Sequence, residues 1–218
     1  MTYQVNIFPE YHQSECSDHK MAEEATMIDP KVLSEFQDVI KKATALAEDG
    51  AFGEAITLLQ SKLKDAEKLD FVQPEVNIRN SLGILHWKNN SFPSFLEITA
   101  ESLALARAHN YKKGVAEALL NLAWVLAMEK KDFIRSFDFT EEALQVTEDI
   151  GYEKGIATSM YIISTAYKHK KMENKAQYYL ERSLAISMRL AEADLLIPSE
   201  AGLTEEEKEQ LKDALDLL

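Results

Sequence analysis

The sequence is poor in glycine, proline and cysteine, and these shortages exclude several kinds of protein. Its 218 residues include seven glycines and five prolines, about 3% and 2%, where roughly 7% and 5% are usual. These are too few for a turn-rich β-sandwich or barrel, and they exclude collagen-like sequence. The single cysteine, Cys16, cannot form an intramolecular disulfide, which indicates a reducing compartment.

Long apolar runs and a basic leader are also missing. The longest mostly apolar run, residues 118–128, covers only 11 residues and includes Asn121, whereas a membrane span needs about 18. The N-terminus begins Met1-Thr2-Tyr3-Gln4 and shows neither the basic region nor the apolar stretch of a signal peptide. We therefore expect a soluble, cytoplasmic protein with no membrane partner.

Positive charge is scarce. The chain has 24 Lys and Arg against 37 Asp and Glu, a formal net charge of −13. Residues 1–35 carry a net −5 and residues 189–218 a net −6, so the middle of the chain is nearly balanced. Neither the ends nor the middle has the basic surface that phosphate binding requires, and we expect no nucleic-acid partner.

What the sequence does contain is a repeat of about 40 residues. One apolar position recurs at intervals of 40, 41 and 40, as Leu63, Leu103, Leu144 and Leu184. The segments 111–116 and 152–157 share the pattern Tyr-x-Lys-Gly followed by an aliphatic residue and alanine. Within each unit, apolar residues at helical spacing predict two helices. One helix pair cannot bury its own apolar faces, so stacked pairs predict an all-α fold, a right-handed α-solenoid.

The repeat divides the chain into three regions. Four units are predicted at about 31–70, 74–111, 114–151 and 155–191. The first helix is predicted to begin at Asp29-Pro30, with an acidic N-cap followed by proline at the first helical position. A ninth helix is predicted at 203–218, because Thr204 and Glu207 match a capping box, and it would cap the last unit. Residues 1–28 do not fit the repeat and are interpreted as a flexible acidic arm.

Three segments share a pattern near the end of the first helix of a unit: Ser81-Leu82-Gly83, Asn121-Leu122-Ala123 and Ile162-Ile163-Ser164. This resembles the helix A pattern of tetratricopeptide (TPR) repeats, of the longer kind with about 40 residues. In that family the small residue lies where the two helices of a unit cross closely. The resemblance covers about residues 31–190. In the second helix, the family pattern has a small residue three positions after an aromatic one. The chain departs from that pattern in two units, where Phe95 and Ser136 stand three positions after the aromatic residue.

The resemblance implies a non-enzymatic scaffold or adaptor that binds a partner peptide or helix in a concave groove. The cation set with which one TPR subclass binds a C-terminal carboxylate is not matched, and Glu117 would repel such a group. Asparagines suit a groove, since one amide offers donors and an acceptor to an extended backbone. Carried over by position, the groove would be lined by Gln37, Thr44, Asn77, Asn80, Ile84, Glu117, Leu120, Asn121, Trp124, Thr158, Tyr161, Thr165 and His169.

Other functions have weaker support in the sequence. His12, Cys16 and His19 have a spacing that zinc could use, but structural zinc usually takes four ligands, and we expect no metal or cofactor. No nucleophile is placed beside a histidine, so no catalytic residue is predicted. The alternative to a scaffold is the peptide-sensing regulatory portion of a bacterial-type signalling protein. An enzyme would require a pocket with strongly perturbed titratable groups.

Overall fold

The structure, a computed structural model, describes residues 30–191. The predicted arm 1–28 and the predicted capping helix 203–218 lie outside the described residues. The described part is helical and contains no strand. Its eight helices are α1 (Pro30–Glu48), α2 (Phe52–Lys68), α3 (Val72–Lys88), α4 (Phe92–Ala108), α5 (Lys112–Met128), α6 (Phe133–Asp149), α7 (Glu153–His169) and α8 (Glu173–Ala191).

The eight helices form two layers. Each helix packs on the next one along the chain, and α1, α3, α5 and α7 also pack on one another in that order. The odd-numbered helices therefore form an inner layer, backed by the even-numbered ones. This arrangement confirms the prediction of an all-α solenoid. No helix within residues 30–191 is long and apolar enough to cross a membrane.

The same turn ends every helix from α1 to α7. Each turn contains one residue in the left-handed region, a conformation that closes a helix and that glycine or asparagine adopts at least cost. From α2 onward, successive helices consequently begin 20 or 21 residues apart, and the extra residue lies in the turn between α5 and α6; α1 begins 22 residues before α2. The left-handed residues are Gly50, Asp70, Asn90, Asn110, Lys131, Gly151 and Lys171, with φ between 52° and 81°.

The close crossing predicted at Gly83 is present in the second unit. A Cβ atom added to Gly83 would lie 2.5 Å from Thr99 Oγ1 and 3.6 Å from the Phe95 ring. Thr99 Oγ1 therefore occupies the space that the glycine leaves open, and the fully buried Phe95 ring packs beside it at an ordinary contact distance. Of the recurring leucines, Leu103 is buried, whereas Leu144 is only partly buried.

We expect Gly83→Ala to destabilise the array by about 1 kcal/mol. Overpacking costs roughly 1–3 kcal/mol, and the better helix propensity of alanine returns about 1 kcal/mol. In a Thr99→Ala background the clash is gone, so the same change becomes neutral or stabilising. Urea unfolding of the four proteins measures this coupling. Gly53→Ala is the control, since a Cβ there meets nothing within 4 Å. A loss of stability at Gly83 that persists in the Thr99→Ala background would contradict the packing described here.

We expect Lys131→Gly to raise the free energy of unfolding by about 0.5–1 kcal/mol. Lysine at φ 53° is strained, and glycine relieves the strain at some cost in unfolded-state entropy. Glu129→Gly, in the same turn at φ −94°, gains no such relief and is expected to destabilise. Equal shifts of the urea midpoint in the two variants would show that the left-handed turn does not limit stability.

Candidate binding groove

The inner layer encloses a groove of about 530 Å³. It is bounded by α1, α3, α5 and α7, with Leu59 of α2 at its base. Nine of the residues predicted from the sequence line it: Gln37, Thr44, Asn77, Asn80, Ile84, Glu117, Leu120, Asn121 and Thr158. The sequence analysis missed eight further lining residues with polar or bulky side chains: Ile40, Leu59, Ser81, Leu85, Lys88, Lys113, Tyr152 and Lys154.

Four predicted residues lie beyond this groove. The groove is not lined by Trp124, Tyr161, Thr165 or His169. The ring of Trp124 stacks on Tyr161 with centroids 5.6 Å apart, and both side chains are half-buried. His169 is exposed and stacks on Phe133 at 4.1 Å. The rings of Trp124, Tyr161 and His169 are therefore engaged mainly in contacts between neighbouring units.

The two asparagines expected to act as a pair are not equivalent positions. Helices α3 and α5 begin 40 residues apart, so Asn121 corresponds to Ser81, and Asn80 corresponds to Leu120. Asn80 is only 5% exposed. Its Nδ2 donates to the Gly114 carbonyl at 3.4 Å, and its Oδ1 accepts from Ser102 Oγ at 2.7 Å.

These hydrogen bonds correct the prediction that Asn80 presents its amide to a partner. The Asn80 side chain joins α3 to α4 and α5, and its hydrogen-bonding groups are occupied. Asn121 is half-buried, and its Nδ2 donates to the Asn80 carbonyl at 3.5 Å. The Oδ1 atom of Asn121 is left to accept a hydrogen bond from a ligand.

Two tyrosines connect successive inner helices. Tyr111 Oη donates to Asn77 Oδ1 at 3.1 Å, and Tyr152 Oη donates to Glu117 Oε1 at 3.2 Å. The two pairs occupy equivalent positions in consecutive units. The tyrosine is the first residue of the Tyr-x-Lys-Gly pattern, and it precedes an inner helix whose neighbour carries the acceptor.

The glycine of the same pattern makes room for the tyrosine ring. A Cβ at Gly114 would lie 2.5 Å from the Tyr111 ring, and one at Gly155 would lie 2.7 Å from the Tyr152 ring. A larger residue at either position would clash with the tyrosine ring. In the sequence, the Tyr-x-Lys-Gly pattern is only a recurring segment. In the structure, each copy forms the tyrosine hydrogen bond that joins two consecutive units.

Burial dominates the electrostatics of the groove. Desolvation raises the pKa of Glu117, and the opposing effects of Lys113, the Tyr152 hydroxyl and Lys154 are smaller. Burial, followed by the charge of Glu117, raises the pKa of Tyr111 to about 12. The pKa of Tyr152 is raised for the same reasons. Both phenols therefore stay neutral and donate, and the Glu117 carboxylate lies in the groove with few hydrogen-bond partners.

The groove shows no arrangement for metal binding or covalent catalysis. In the part of the chain that the structure describes, no group of three His, Cys, Asp or Glu could hold a metal ion. The possible zinc ligands His12, Cys16 and His19 lie outside that part. The groups with a shifted pKa that line the groove are the carboxyl group of Glu117 and the phenol of Tyr152, and no cysteine or histidine is among the lining residues.

Comparison with known proteins gives a limited similarity. No protein-family model matches the chain. The chain is similar to anaphase-promoting complex subunit 5 of Homo sapiens, Mus musculus and Rattus norvegicus, with 28% identity over 92 residues. The matched region is 42% of this chain, and it spans only 12% to 13% of the length of these curated relatives.

The raised pKa of Glu117 predicts a pH-dependent stability. Above about pH 4.5, the ordinary pKa of a glutamate, native Glu117 keeps its proton over a range in which the unfolded chain has released it. The unfolded state then binds fewer protons, so the free energy of unfolding falls as the pH rises through this range. Glu117→Gln removes the effect. We expect the Tm of this variant, relative to the unmodified protein, to increase between about pH 4 and pH 7.

The control for this measurement is Glu97→Gln, which removes an exposed carboxylate from α4. Its Tm difference should stay nearly constant over the same pH range. If the Tm difference rose equally in both variants, the effect would come from the overall negative charge and not from the burial of Glu117.

Proposed function

We propose that the chain is a non-enzymatic protein-interaction module of the TPR type, which binds a peptide or helix of a partner protein in the groove. The observation that supports this proposal is that two amide side chains in the groove use only part of their hydrogen-bonding capacity within the protein. Asn77 accepts from Tyr111 and keeps both its Nδ2 hydrogens, whereas Asn121 donates to Asn80 and keeps its Oδ1. A peptide main chain has a donor and an acceptor at each residue, which these groups complement.

The dimensions of the inner layer suit a short extended segment. The inner helices of consecutive units pack directly on one another, and packed helices lie about 8–10 Å apart, so equivalent positions in consecutive units are separated by about 10 Å. An extended chain rises about 3.3 Å per residue, and about three residues span one unit. The groove extends over the inner helices of all four units, from Gln37 on α1 to Thr158 on α7.

The similarity reported above is compatible with this proposal. The relatives are named as a subunit of a complex, which is a role that depends on binding other proteins. Because the match covers so little of their length, their partners are not transferred to this chain. No feature of residues 30–191 favours the alternative, a peptide-sensing part of a signalling protein, over a scaffold.

The test compares groove variants of the full chain for peptide binding. Segments selected from a displayed peptide library are synthesised, and their Kd values are measured by fluorescence anisotropy. Truncating a well-formed anchor often costs about 2 kcal/mol, so Asn77→Ala/Asn121→Ala should weaken binding by about thirtyfold or more. The Tm of the variant is measured in parallel, since Asn77→Ala also removes the acceptor of Tyr111.

Two further variants make the test specific. Asn121→Ala alone leaves the contact between Tyr111 and Asn77 intact and should still weaken binding. Gln145→Ala removes an exposed amide from α6, a helix that contributes no residue to the groove, and should leave Kd unchanged. Selected peptides that bind all three variants as tightly as the unmodified chain would place the binding surface elsewhere.

A further inference from the structure

The charge of the groove is opposite to that of the protein. The chain carries a net −13, yet three of the four charged residues that line the groove are lysines: Lys88, Lys113 and Lys154. The fourth is Glu117. A ligand in the groove therefore meets a net positive lining on a molecule that is acidic overall.

Two of these lysines are equivalent residues of consecutive units. Lys113 and Lys154 occupy the third position of the Tyr-x-Lys-Gly pattern and lie in the first turns of α5 and α7. The packing of each tyrosine ring against its glycine gives the two turns the same geometry. The repeat thus places one ammonium group per unit at the groove, two units in succession.

Within the described residues, the groove lysines form one ion pair, and that pair is long. Lys113 Nζ lies 4.0 Å from Glu117 Oε1 and 5.1 Å from the centre of the Tyr152 ring, and its side chain remains 51% exposed. Lys88 and Lys154 are both exposed, and neither forms an ion pair of 4 Å or less within the described helices.

We propose that the occupant of the groove is an extended acidic segment of a partner protein, with two carboxylates that pair with Lys113 and Lys154. This inference rests on the proposed function and names the chemistry of the partner. One unit corresponds to about three extended residues, so the two acidic residues are about three positions apart. The residues between them carry no carboxylate, because the Glu117 side chain, 28% exposed, lies beside Lys113 and repels a third acidic group.

The test uses a defined probe and the full chain. The probe is a fluorescein-labelled peptide of twelve residues with glutamates at positions 5 and 8 in a serine, alanine and glycine background. Matched peptides carry glutamine or lysine at the same two positions. Anisotropy titrations at low salt should show binding of the glutamate peptide alone. Added salt should weaken that binding, since exposed charge pairs are screened.

The matched control is Lys112→Gln. Lys112 adjoins Lys113, has the same 51% side-chain exposure, and pairs with Asp149 instead of lining the groove. We expect Lys113→Gln and Lys154→Gln each to weaken binding of the glutamate peptide about fivefold, and Lys112→Gln to leave it within about twofold. Equal losses in all three variants would overturn the inference, because the peptide would then respond only to the overall charge.

The outcomes also separate this inference from the proposed function. Tight binding of the glutamine or lysine peptide that depends on Asn121 would refute the acidic occupant and keep the groove as the binding surface. Absence of any binding that depends on Asn121, Lys113 or Lys154, for these peptides and for library-selected ones, would refute both.

A second experiment distinguishes a partner from the acidic ends of the same chain. Residues 1–29 and 192–218 are rich in acidic residues and are tethered to the array. Carbodiimide coupling of the unliganded full chain, followed by mass spectrometry, reports lysines that lie against carboxylates. We expect Lys113 and Lys154 to couple to these ends no more than Lys112 does. Preferential coupling would overturn the partner as the source and identify an end of this chain as the occupant.

Discussion

The contact between a tyrosine ring and the glycine three residues later organises the groove. At Tyr111 and Tyr152 the absence of a Cβ on Gly114 and Gly155 lets the ring lie against the helix start. The hydroxyl then reaches the preceding inner helix, at Asn77 in one unit and at Glu117 in the next. The same turn directs a lysine to the groove. The stacking of units and the chemistry of the inner surface therefore depend on one short recurring segment.

The polar side chains of the groove serve two purposes. Some stabilise the array, as Asn80 does by bonding to Gly114 and Ser102. Others keep part of their hydrogen-bonding capacity, as Asn121 does. Buried polar groups must be paired within the protein, whereas half-buried ones can be paired by a ligand. The division between the two groups follows burial and cannot be read from residue type.

The fold was largely predictable because helical periodicity and the 40-residue repeat are properties of sequence alone. The close crossing at Gly83 was predictable too, since only a small residue suits that position. The pairing of Asn80 with Asn121 was not predicted correctly. A 41-residue separation suggested equivalence, but the extra residue of the longer repeat lies in the turn between α5 and α6, after both asparagines. An error of one residue on a helix rotates a side chain by about 100°, and here it separates the buried Asn80 from the half-buried Asn121.

The sequence by itself determined the helices, their pairing into units and the positions at which inner helices carry polar residues. Local propensity and apolar spacing decide these features. Only the tertiary structure decided which polar groups are already bonded, that Lys113 and Lys154 line the same groove, and that Glu117 is desolvated within it. Each of these depends on contacts between residues about 35 to 40 positions apart, as in the bond from Tyr152 to Glu117. Such contacts are fixed by the stacking of one unit on the next.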